Sequence, residues 1–400
     1  MCAVAACGGG SGADAVRYIP TVSWSVGPDR LDAEALAATC TDQADGAYTI
    51  EVEQLPADVH DRHALLVRRL LAEDSSMDLV SLDSSFTTEL AAAGFLTPVP
   101  DDRVQAAAEG VSPQALATVT RDERLVAVPW FLDPQVLWFR GNVAERAGLD
   151  TSKPISWDDL IAGAQRLGVT IEIEDRDGSG LSEWVNGLVA GAGGSLLSDA
   201  RRSATAGLDT DAGRAAASVV EFYDQSGVGP GPSPDALTRF AGPSGGFLLA
   251  STSAVSDAAL AAVQADMRAT TYPLVGNTSV APLAGVGLAV PRHTQDPDEA
   301  FDAITCLTSP TALQELMTGP QHAASRLSTF DDPAVAGAFR SIDAARAGVT
   351  SGVTVPSVPF WSLVVDALDE TWSPVADVTQ DATPDASQAE VRAAIRGGIR

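Results

Sequence analysis

Residues Arg124 to Arg140 read RLVAVPWFLDPQVLWFR and place Trp130, Phe131 and Asp133 between two prolines, Pro129 and Pro134. A carboxylate accepts paired hydrogen bonds, and an aromatic face covers apolar surface on a bound molecule. Asp83 closes the short apolar run Asp78-Leu79-Val80-Ser81-Leu82-Asp83, and Arg326 follows the helix-breaking Gly319-Pro320. Trp24, Trp184 and Trp361 add further aromatic faces. Each residue also has a plain structural reading: core tryptophan, helix N-cap for Asp83, solvated charge for Arg326.

Motifs for bond-making are missing from the sequence. It holds no Gly-x-Ser-x-Gly elbow, HExxH or P-loop, and its four cysteines form no CxxC, so no cofactor and no metal is expected. Asp175 to Glu183 carries oxygens at positions 1, 3, 5, 7 and 9 of a calcium loop, the one at 7 being the backbone carbonyl of Leu181, with glycine at 6, but Asn186 stands where the bidentate Glu belongs. It reads as an acidic turn. His60 and His63 share a helical face, read as solvated. So acidic a chain always offers paired carboxylates, which keeps a secreted glycoside hydrolase as the alternative to a binding protein.

Positioning these residues takes two globular halves. The chain alternates strand and helix from Tyr18 to Ala93, the pattern of a doubly wound sheet whose ligands collect beyond the C-terminal strand ends, where Trp24 and Asp83 fall. Pro129 and Pro134 lack ladder N–H groups, so the 124–140 stretch is expected as two strands joined by a crossover outside the ladder. Ala284 to Pro291 is a second crossover. Further helices are expected at Ala254–Met267, Asp298–Leu307, Ala334–Ala347, Trp361–Trp372 and Val391–Ile399. At 400 residues there is chain for more than one domain. The expected division is a flexible segment over 1–14, lobe I over 15–128 plus 281–324, and lobe II over 129–280 plus 325–400.

Net charge is −28, from 53 acids and 25 bases, which argues against nucleic acid as a partner. Val4-Ala5-Ala6-Cys7 followed by Gly8-Gly9-Gly10-Ser11-Gly12 looks like a lipobox with a tether, making Cys7 the expected lipidation site and a lipid anchor the only expected membrane contact. In an exported protein Cys40 and Cys306 can pair, closing a loop worth roughly 4–5 kcal/mol of chain entropy.

Three phrases carry a resemblance: RLVAVPWFLDPQVLWFR, RAGLDTSKPISWDDLIAGAQRLG and APLAGVGLAVPRHTQDPDEAFDAITCLTSPTALQELM. In that order they resemble the extracytoplasmic solute-binding proteins of ABC sugar importers, the maltose- and trehalose-binding type. The cysteine pair and MDLVSLDSSFTTELAAAGFLTPVPDD are most similar to the trehalose-binding lipoproteins of mycobacterial importers. The resemblance implies an α/β fold of two doubly wound lobes joined by crossover strands, like type II periplasmic binding proteins. It also implies a monomer that captures a small carbohydrate between its lobes and delivers it to ABC permease subunits. It places Asp83, Asp133 and Arg326 against the sugar; by residue chemistry alone Trp24, Trp130, Trp184 and Trp361 are the candidate ring platforms, Trp130 foremost because it lies between the crossover prolines. A receptor for a non-sugar, cationic osmolyte is the remaining alternative.

Overall fold

The computed structural model describes residues 19–198 and 205–397. The first strands, Thr21–Val26, Thr49–Gln54 and Leu79–Asp83, pair in parallel and are joined by helices Ala33–Gln43 and Val59–Leu71. Asp32 and Asp58 start these helices by accepting from backbone N–H groups of the first turn. The helix Ser84–Ala92 follows the third strand directly.

Strand Val128–Arg140 is one element of 13 residues, not the expected pair of strands with a break. The prolines sit where the ladder can spare a donor. Pro134 marks a change of partner: Val128 to Pro134 pair with strand Pro282–Pro291, and Gln135 to Phe139 pair with Gly245–Ser251. Pro129 stands opposite Gly287 while Phe131 stands opposite Val286, so Trp130 is the extra residue of a bulge. On the far edge the Ser325 N–H and hydroxyl, each 3.0 Å away, donate to the carbonyls of Trp130 and Pro129.

The sheet is therefore continuous through both lobes. The second crossover strand pairs antiparallel with Leu79–Asp83 in one lobe, and Gly245–Ser251 pairs parallel with Thr170–Glu174 in the other. Two separate main cores flank it. One runs from Val22 to Leu132 and from Leu283 to Val349; the other from Leu137 to Ala281 and from Val358 to Val391. The segment after Arg326 was expected in lobe II. Phe330, Val335, Phe339, Ala345 and Val349 instead pack in the first core. The final passage to the second lobe comes at Val353–Thr354, which pairs parallel with the second crossover strand.

Three helices differ from expectation. The one expected at Ala334–Ala347 is two, Pro333–Ala338 and Ile342–Ser351, parted where Phe339 takes an extended backbone. Residues 252–266 form three short 3-10 turns, because Asp257 takes an extended backbone and caps the second turn through Ala259 N–H. The last helix is Thr383–Ile395, starting earlier than the apolar spacing suggested. Among the described residues no helix is long and apolar enough to cross a membrane.

Cys40 and Cys306 are disulfide-bonded, with Cα atoms 5.8 Å apart across 266 residues of chain. The bond joins helix Ala33–Gln43 to helix Pro297–Leu307 within the first lobe, tying the segment that returns from the second lobe to the opening of the fold. Loop entropy of that length is worth about 5 kcal/mol. Replacing both cysteines by serine is expected to lower unfolding free energy by about 2–5 kcal/mol in denaturant titration, with dithiothreitol reproducing the loss in the parent chain.

Candidate functional site

A cleft lies between the lobes and opens to solvent. The first lobe supplies the start of helix Val59–Leu71 and the junction of strand Leu79–Asp83 with helix Ser84–Ala92, bringing His60, His63, Asp83, Ser84 and Phe86 to the wall. The second lobe supplies the loop from Glu174 to Glu183 and the first turn of helix Trp361–Trp372. Asp133, Gln135, Ala284 and Gly285, on the crossover strands, make the floor.

Arg62 holds the walls together. It is 2% exposed. Its Nε donates to Asp83 Oδ2 at 2.8 Å, and its Nη2 donates to Asp177 Oδ2 in the opposite lobe, also at 2.8 Å. Its Nη1 donates to the Pro56 and Ala57 carbonyls. Burial opposes the charge on Arg62, but the two carboxylates outweigh it and raise its pKa. Burial raises Asp83 despite Arg62. Burial also works against the charge on Asp177, yet Arg176, the Ser179 hydroxyl and Arg62 together hold it low. Asp83 occupies the N-cap position of helix Ser84–Ala92 without capping it, since its side chain is turned to Arg62.

A second ionic contact crosses between the lobes. Arg30 donates to Glu174 at 2.7 Å and to Asp257 at 3.0 Å. Backbone contacts add to it, from Val59 N–H to the Asp177 carbonyl and from Arg176 to the Pro28 carbonyl. The lobes therefore meet across the cleft mouth.

Asp133 lies on the floor but is 3% exposed and fully engaged, accepting from His322 Nδ1 at 2.6 Å and from Ala323 N–H at 2.7 Å. His322 Nε2 meets the Asp29 carbonyl, which can only accept, and the ring stacks on Phe131. With a carboxylate on one nitrogen and a carbonyl on the other, both nitrogens donate, and the ring is an imidazolium. Burial opposes that charge, but Asp133 and the Asp29 side prevail and raise the pKa. This clamp fixes the loop that carries Arg30 to the crossover strand.

Several expected contacts are corrected by position. Trp24, Trp130 and Trp184 are at most 1% exposed. Trp24 donates to Ser81 Oγ and packs edge-on against Trp130, which donates to the Leu307 carbonyl; Trp184 packs among Trp157 and Tyr223. None offers a face to a ligand. Arg326 lies away from the cleft, donating to the Ala106 carbonyl and packing on Gly110. Trp361 is the tryptophan that reaches the lining. Cys7 lies outside the described residues.

The acidic loop spends its oxygens on itself and on Arg62. Asp175 accepts from Gly178 and Gly180 N–H, and Asp177 accepts from Ser179. Among the described residues no group of three or more His, Cys, Asp or Glu is arranged to hold a metal ion. His63 pairs with Glu89 at 2.9 Å.

Arg62, Arg30, Gln135, Glu174 and Glu183 were not anticipated as site residues. Arg62 left a signal: with Leu66 and Leu70 it forms the buried stripe of its helix, a cation at a core position. Glu183 was marked only as the end of the acidic turn, and Arg30, Gln135 and Glu174 left no signal, because their partners are more than 40 residues away in sequence.

Two lobes share one sheet, and a cleft lined by both lies at its crossovers. The chain belongs to the family of bacterial extracellular solute-binding proteins, whose model matches residues 49–314. Its fold is that of solved solute receptors. Maltose-bound MalE3 of T. maritima superposes with a TM-score of 0.81 at 20% identity, over 93% of this chain and 99% of that one. The GacH receptor of Streptomyces glaucescens, solved unliganded and with acarbose, gives 0.81 at 16% identity, over 95% and 99%. A solute-binding protein of Agrobacterium radiobacter in complex with ribitol gives 0.76 at 18%, over 93% and 98%. The chain thus stands among binding proteins, not enzymes.

Arg62→Ala strands Asp83 and Asp177 without their cation. It is expected to cost about 3–5 kcal/mol and to raise the radius of gyration measured by solution X-ray scattering, as the lobes part. The His322 clamp gives a pH signature. Its stability contribution is complete below the ordinary histidine value of 6.5, declines as pH rises above it, and is lost once pH passes the raised folded value. The stability gap between the parent chain and His322→Gln, read from denaturant midpoints, should therefore shrink as pH rises above 6.5.

Proposed function

We propose that this chain is the receptor subunit of an ABC importer, capturing a small polyhydroxylated solute of disaccharide size and delivering it to the permease. The observation that carries this reading is the composition of the inter-lobe cleft. Carboxylates, a carboxamide, serine hydroxyls and histidines line it beside Trp361 and Phe86. Planar polar groups match vicinal hydroxyls, and aromatic faces match the C–H face of a pyranose ring. Proteins of the same fold are described bound to maltose, acarbose and ribitol, which supports the class of solute. Trehalose is the reading that the sequence resemblance favours. A lipid anchor through Cys7 would keep the receptor at the membrane, where a single copy meets the permease.

Closure is the working step. A solute between the walls adds contacts that only the closed form makes, so it shifts the lobes toward the form joined by Arg62 and Arg30. Isothermal titration against disaccharides and polyols is expected to show binding. Asp83→Asn should weaken it at least about tenfold, roughly 1.4 kcal/mol, while Arg326→Ala should leave it unchanged. A panel in which no polyhydroxylated compound binds would overturn the reading.

A further inference from the structure

Most carboxylates in and around the cleft have a basic side chain as partner. Asp83 and Asp177 share Arg62, Glu174 and the neighbouring Asp257 share Arg30, Glu89 bonds the His63 ring, and Asp133 has His322. Glu183 is different. It lines the cleft, and its two oxygens receive only the Gln135 amide at 3.0 Å and the Ser179 hydroxyl at 3.1 Å. Among the described residues no ion pair reaches it. Arg176, the cation of the same loop, is drawn to the Pro28 carbonyl.

Gln135 adds an independent observation. It is 5% exposed, lines the same cleft, and its Oε1 has no hydrogen-bond partner. With its amide nitrogen committed to Glu183, the side chain presents an unused acceptor beside an unpaired acid. A buried acceptor left without a donor costs about 1–3 kcal/mol, and a ligand donor at this spot would remove that cost.

The electrostatic field has one sign here. Burial first, then the charge of Asp177 and that of Glu174, raise the pKa of Glu183 to about 8 against the pull of Ser179 and Gln135. The negative charges of Asp177 and Glu174, which help keep a proton on this carboxyl, also attract a ligand cation placed beside it. The remaining titratable neighbour is Tyr272, whose buried hydroxyl has no partner and whose ionisation Glu183 opposes. Trp361 and Phe86 line the same cleft, and aromatic faces attract ammonium groups.

From this geometry we infer that the solute carries a protonated amine, which donates to the Glu183 carboxylate and to Gln135 Oε1. The inference rests on the polyhydroxylated-solute reading and narrows it to amino sugars and amino-polyols. When the ammonium enters, Glu183 releases its proton to solvent, so the bound pair is ammonium and carboxylate.

The test uses matched probes, trehalose against trehalosamine and glucose against glucosamine, titrated calorimetrically near neutral pH in two buffers of different ionisation enthalpy. The amine of at least one pair should bind at least about tenfold more tightly than its hydroxyl partner and release close to one proton; the neutral sugar should release none. In Glu183→Gln, with its unfolding midpoint checked, the affinity ratio should fall toward one and the proton release should vanish. Equal or stronger binding of the neutral sugars overturns the amine inference and leaves the sugar reading standing. Binding of putrescine, with no sugar or amino sugar bound, overturns the sugar reading and keeps the amine at Glu183. If none of the probes binds, both readings fall.

Discussion

Both lobes hang on the pairing of strand Val128–Arg140 with strand Pro282–Pro291. Because the first of these exchanges one partner for another at Pro134, a single ladder runs from one core into the other, and the boundary between lobes falls inside a strand. A proline is well placed at such an exchange, since no neighbour there needs its missing N–H. Helices from both lobes press on the joint. A methyl on Gly348 would come within 2.4 Å of Pro134, and one on Gly187 within 2.7 Å of Pro282. Only glycine lets these helices approach the crossover strands so closely, and the cleft floor inherits its position from that packing.

Above this joint, closure is electrostatic. Arg62 and Arg30 each serve two carboxylates, and each reaches from the first lobe to the second. Buried ion pairs contribute little net stability, because desolvation offsets attraction, but breaking one leaves a charge that the interior cannot solvate. Here each cation joins two carboxylates in one arrangement across the cleft mouth. The His322 imidazolium, between Asp133 and the Asp29 carbonyl, carries this constraint from the floor to the loop that presents Arg30.

The tryptophans show why residue type alone misplaces a site. Trp24, Trp130 and Trp184 have the chemistry of sugar platforms, yet each points into a core where its ring area is worth more buried than exposed. Trp130 was misplaced for a specific reason: the bulge that accommodates Pro129 turns its indole inward to the Leu307 carbonyl. Trp361 is marked by nothing in its neighbours, and it faces the cleft because helix Trp361–Trp372 begins at the second lobe's rim.

The amino-acid sequence alone determined the alternation of strand and helix and the two stretches that cross between the lobes, though not that the first of them is a single strand. Each of these is written in hydrophobic period, proline placement or residue type over a few neighbouring positions. It marked Asp83 as a strand-end acid and the Asp175–Glu183 loop as an acidic turn. Only the tertiary structure decided which charges meet. Arg62 joins Asp177 across 115 residues and Arg30 joins Glu174 across 144, and no local pattern encodes a contact of that range. It also decided that the chain from Phe330 to Val349 packs in the first lobe, because that depends on which core has room for its apolar face. Periodicity shows that a face is buried, but the partner that buries it is set by the assembled fold.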